Sequence, residues 1–305
     1  VPVVGGIRRV SAAAVVGTGW WSTLSRWSFD PRVLVPMWIA AVAYADAIGR
    51  LRRRRPSAVA SWRRPAAYFF AGLGAVSLAL MSPIDAFADR SLTTHMIQHL
   101  LLTLIAPPLL LLGRPITLAY AAWSSRSRAR LARITKSGVA RLVGSPAVGF
   151  AGFAIALWVS HLSSIYEATL TDQGLHAAEH AAYVTTALLF WWPVVAADPG
   201  ARRLSYPGRL LYLFLAMPVM SLLGFLVSTA DRVLYPHYVL SAGSVAKALA
   251  DQRLAGTIMW GTSMVAGVVA LSLVLAEWMR YEDVQTRRVE MLRSQRTDAI
   301  EVRGD

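Results

Sequence analysis

The 305-residue chain contains no cysteine. That excludes a disulfide framework and a thiolate metal site, so any metal would have to be held by His, Met, Asp or Glu. Charge is also scarce. Only 16% of the residues are charged and 55% are hydrophobic, more apolar and less charged than a soluble domain. Acidic residues are the scarcer sign, 17 against 31 Lys and Arg, for a formal net charge of +14. Apolar–polar alternation is missing too. The apolar residues come in continuous runs, which argues against strands, since an open sheet cannot satisfy its backbone in lipid.

What is present are seven long apolar runs, at residues 33–50, 65–82, 94–113, 143–161, 175–197, 208–230 and 254–279. Each approaches the roughly 20 residues that cross a bilayer core as a helix. The fold class read from them is all-α, a polytopic membrane bundle of about seven transmembrane helices. Residues 1–32 read as an N-terminal interfacial segment, marked by Trp20, Trp21 and Trp27. Residues 33–280 read as the seven-helix domain, and residues 281–305 as a charged tail. Pro107 and Pro108 interrupt the third run and predict a kink or an early helix end there. The Arg-rich stretch 114–142 reads as an interfacial helix.

The net charge does not call for nucleic acid, because the basic residues fall between the spans and 23 of the 31 lie on one side. Arg50, Arg52–Arg55, Arg63 and Arg64 occupy the first such loop, and Arg114 to Arg141 the second. Arg202, Arg203 and Arg209 lie in the third, and Arg280 to Arg303 in the tail. The positive-inside rule then places the N-terminus outside and the C-terminus in the cytoplasm, as an odd number of spans requires.

This topology collects the histidines. His95 and His99 open the third run, His161 closes the fourth, and His176 and His180 open the fifth, all at its outer end. His237 lies in the outer loop between the last two runs. "HMIQH" and "HAAEH" are both His-x-x-x-His, which puts two imidazoles on one helix face about 5–6 Å apart. One such pair arises easily by chance. Two pairs and a fifth histidine on one side of one bundle point to a metal site, with His95, His99, His161, His176 and His180 as ligands. Accessory candidates are Met96, whose soft sulfur suits Cu(I), Glu179, His237, and Asp251 as helix cap or acceptor for a liganding imidazole. From the residues alone, copper and zinc both fit such a donor set.

Other readings have a stated cost. "HAAEH" also fits His-x-x-Glu-His, a pattern of zinc peptidases with the Glu as general base, but no third ligand is assigned downstream. Haem would call for one axial His per helix rather than pairs. Transport is disfavoured by the scarcity of polar residues at mid-membrane.

The order "WSFDP", "MSPID", "HMIQHLLLTLIAPPLLLLGRP", "LWVSHLSSIYEATL", "HAAEHAAYVTTALLFWWPV" and "DQRLAGTIMW" resembles the caa3-type CtaG family of cytochrome c oxidase assembly factors. The resemblance covers about residues 27–280. It implies a bacterial plasma-membrane protein that aids maturation of an oxidase copper centre. Its partners would be oxidase subunits and the lipid bilayer, with no catalytic residues of its own. The family's histidines map onto His95, His99, His161, His176 and His180, with Glu179, Asp251 and Gln252 alongside. Some members are fused to a copper-import domain, for which these residues leave no room. A membrane zinc hydrolase and a metal-free assembly scaffold are the rival expectations.

Overall fold

A computed structural model describes residues 27–195, 197–198 and 204–304, with side chains through residue 292. Trp20, Trp21, Arg202 and Arg203 lie outside the described residues, as does most of the expected N-terminal segment. Among the described residues every regular element is helical.

The helices start where the sequence supplies caps. Helix α1, Pro31–Arg54, is opened by Asp30, which accepts from the Arg32 backbone N–H at 2.8 Å, with Pro31 at the first helical position. Arg52, Arg53 and Arg54 close it, placing positive charge at the negative end of the helix dipole. A tight turn, Pro56–Trp62, leads into α2, Arg63–Leu80. The "MSPID" stretch forms the short α3, Pro83–Ala88, capped by Ser82. Helix α4, Leu92–Leu100, passes through a π turn at Leu101–Ile105 into α5, Ala106–Leu112.

The π turn has a sequence cause. Pro107 has no N–H to donate to the Thr103 carbonyl, the partner that an α-helix would assign it. The indole N–H of Trp191 donates to that carbonyl instead, at 2.9 Å. The expected break at Pro107 and Pro108 is therefore a local widening, and Leu92–Ala122 remains one candidate span.

Arg114 turns the chain with a positive φ of 52° into α6, Pro115–Ala122. The stretch read as one interfacial helix is three pieces, α6, α7 (Ser125–Thr135) and α8 (Gly138–Val143), because Ser124 and Ser137 each begin a new helix by capping it. Helix α9, Pro146–Ser160, bends by 78° into α10, Ser163–Thr171. Then follow α11 (Gln173–Val195), α12 (Tyr206–Thr229), the short α13 (His237–Ala242) and the 60-residue α14 (Val245–Gly304).

Five helical segments are both long and apolar enough to cross a membrane, and the bent α9–α10 pair makes six. Helix α11 has 23 residues, about 35 Å at 1.5 Å per residue, but His176, Glu179 and His180 in its first two turns make it less apolar. The outward faces of α1, α12 and α14 expose Trp38, Ile39, Phe214, Leu215, Val265 and Leu273, side chains that belong against lipid. Helices α12 and α14 pack backbone to backbone. A Cβ at Gly224 would stand 2.6 Å from the Trp260 amide nitrogen, and one at Gly256 would collide with Ser228.

Candidate metal centre

The site is assembled by α4 and α11, which both begin at the end of the bundle opposite the arginines. Ser91 caps α4, and Asp251 of α14 holds that start from outside. Its carboxylate accepts from Leu92 N–H at 2.7 Å and from Ser91 Oγ at 3.0 Å. Asp251 lies inside α14 rather than before it, so it caps a neighbouring helix and not its own, and its carboxylate is turned to that helix start rather than to an imidazole. On α11, Asp172 accepts from the amides of Gly174 and Leu175 at 2.7 and 3.0 Å. Gln252 pins the loop over the site, accepting from Leu234 N–H at 2.7 Å and donating to the Arg232 carbonyl at 3.1 Å.

The two His-x-x-x-His pairs face each other in layers. His95 and His176 form the outer layer, with ring centroids 5.2 Å apart. His99 and His180 form the next layer, one turn further in, at 5.6 Å. Within each helix the rings are 4.4 Å (His95, His99) and 4.3 Å (His176, His180) apart. His161, at the end of α9, stands 6.2 Å from His99. His95, His99, His161 and His180 are buried, as is Glu179, and His176 is half-buried.

Two of the imidazoles are set by their neighbours in the tautomer that a metal requires. The Tyr238 hydroxyl donates to the Ala88 carbonyl at 3.2 Å, so at 2.9 Å it accepts from His95 Nδ1–H. Burial pushes the Tyr238 phenol well above its usual range, which keeps that proton in place. His161 Nδ1 donates to the Leu157 carbonyl at 2.7 Å. Each ring is left with a bare Nε2.

The Nε2 atoms of all five histidines are buried without a hydrogen-bond partner, as is Nδ1 of His99. Stranded buried polar atoms are rare, and a cluster of them asks for an absent partner. His95, His99 and His180 bring one ligand atom each within 4.8 Å of one another, and so do His95, His176 and Glu179. Donors on one ion lie about 3.3–3.5 Å apart, as bonds of ~2.0–2.1 Å dictate, so the side chains would have to draw closer around it.

The remaining candidates fall elsewhere. Met96 packs into the apolar core with Leu92 and Leu104. His237 turns Nε2 to the Asp89 carbonyl at 3.2 Å, and its amide donates to Glu167 at 3.1 Å. His161 joins neither three-residue group. Tyr238 and Tyr183 went unnoticed in the sequence. Tyr183 sits three residues after His180 on the same helix face, with its ring 4.6 Å from His99, a spacing that could have flagged it.

Fold and site together define a multi-span helical membrane protein with a buried histidine centre at one end of its bundle. The model of the cytochrome c oxidase caa3 assembly factor family matches residues 42–281, and the chain belongs to that family. It is similar to uncharacterized proteins of Mycobacterium bovis and Mycobacterium tuberculosis. Each is 26% identical over 288 residues, covering 90% of this chain and 42% of the relative. A Mycobacterium leprae protein is 25% identical over 84% of the chain and 40% of its own length. The chain thus spans about two-fifths of these curated relatives. No solved structure matches it significantly.

Proposed function

We propose that the chain acts in oxidase assembly by taking copper onto the histidine cluster at the outer membrane face and passing it to an oxidase subunit. The observation that carries this reading is the convergence of five imidazoles, four of them buried and one half-buried, whose Nε2 atoms have no partner. Neutral imidazoles suit copper and zinc alike, and the family's task of oxidase assembly favours copper. In this reading α11 crosses the bilayer as well, for seven spans. The arginine-rich loops face the cytoplasm of a bacterial cell, with the N-terminus outside. The protein is a carrier and not a catalyst.

The test is elemental analysis of the purified protein after exposure to copper and, separately, to zinc. The comparison is wild type against the double variant His176→Ala, His180→Ala. About one copper per chain is expected, lost in the variant. Zinc retained in place of copper would favour the hydrolase reading, with Glu179 as base. No metal on a folded wild type would leave an assembly scaffold.

A further inference from the structure

We infer that the cluster holds a single ion in either of two overlapping positions and that His95 is the pivot between them. The inference rests on the metal-binding reading above. The outer position is His95, His176 and Glu179, and the inner one is His95, His99 and His180.

The two sets cannot be filled together. His95 belongs to both, and its Nδ1–H is committed to Tyr238, so it has one lone pair and binds one ion. Filling either set therefore empties the other. The sets also differ in access. The outer one contains half-buried His176, whereas every member of the inner one is buried. They differ in charge as well. Glu179 gives the outer set an anionic oxygen that attracts an arriving cation, while the inner set is three neutral nitrogens, a donor set suited to Cu(I).

One helical turn, about 5.4 Å, separates the layers. His180 is placed for the exchange, with its ring 4.3 Å from His176 and 5.6 Å from His99. Moving the ion breaks its bonds to His176 Nε2 and a Glu179 oxygen and forms bonds to His99 and His180. The His95 bond is kept throughout. No electron is exchanged, because each arriving lone pair replaces a departing one. The His161 ring is 6.2 Å from that of His99 and belongs to neither position.

The probe is Cu(I) alone, kept reduced, titrated onto the full chain in detergent against a coloured Cu(I) chelator. Wild type should bind about one copper per chain. His99→Gln should still bind one copper, in the outer position, and surrender it to the chelator about tenfold faster. Glu179→Gln should also hold one, in the inner position, but load about tenfold more slowly. Two coppers per wild-type chain would overturn the shared-pivot arrangement. So would complete loss of copper from either folded single variant, which would mean one rigid site that needs every ligand. Wild type that binds no copper is a separate failure, of the underlying metal reading. Should His99→Gln fail to fold by circular dichroism, the wild-type stoichiometry and Glu179→Gln decide the matter.

Discussion

The two ends of the bundle solve the problem of buried polar groups in opposite ways. At the arginine-rich end, buried Arg209 pairs with Glu277 at 3.2 Å and lies 5.1 Å from the Tyr206 ring. There too, Asp198 accepts from the amides of Ile116 and Thr117 at 3.1 and 2.7 Å and from the Thr117 hydroxyl at 2.6 Å. These charged groups are satisfied by the chain itself, and Trp192 Nε1, beside Asp198, is the exception at that end. At the histidine end the helix starts are held by Asp251 and Asp172 and the loop over them by Gln252, yet the imidazoles they present are left unpartnered. One end is finished by folding. The other is folded into a shape that only something added can finish.

That contrast can be broken most sharply at Tyr238. Tyr238→Phe removes the acceptor that fixes the His95 tautomer, and copper affinity should fall about 10–100-fold by competition titration, with the helical signal unchanged. Unaltered affinity would mean that His95 needs no such positioning. A smaller effect is expected at Asp251. Asp251→Ala strips the outside cap from α4 and should cost about 0.5–2 kcal/mol of stability, read as a lower midpoint of thermal unfolding. A midpoint equal to wild type would show that Ser91 alone suffices. The smallest effect lies at the finished end. Arg50 and Asp46 form an ion pair at 2.6 Å, but both are about half exposed. Arg50→Ala should shift the unfolding midpoint by no more than about 0.5 kcal/mol allows. A large loss there would mean that the arginine end is not locally satisfied after all.

Much of this was legible in the sequence because it is local. Apolar runs report their own burial in lipid, and an i, i+4 pair reports its own helix face, so five or six of the seven runs and the two His-x-x-x-His pairs could be read directly. What escaped was set by distance along the chain. Tyr238 meets His95 across 143 residues, and nothing in "LYPHY" points to that partner. Glu277 pairs with Arg209, 68 residues away, and nothing local to either residue points to the other. Asp251 read as a cap for the helix it precedes, whereas α14 begins at Val245 and the cap crosses to another helix. The fourth run, 143–161, matches α9, and the 78° bend into α10 falls just beyond it, where no apolar run marked a helix.

The π turn at Leu101–Ile105 has a consequence for how this sequence can change over generations. A π turn is in effect one residue too many for an α-helix. Deleting a residue there would restore regular winding, yet it would swing everything above the turn by about 100° relative to everything below. His95 and His99 would then point away from α11. The surplus residue is thus protected by its position in the count rather than by its side chain. Substitutions through Leu101–Ile105 should be tolerated far more readily than a single-residue gap, and the Trp191–Thr103 bond ties α11 to that same reading frame.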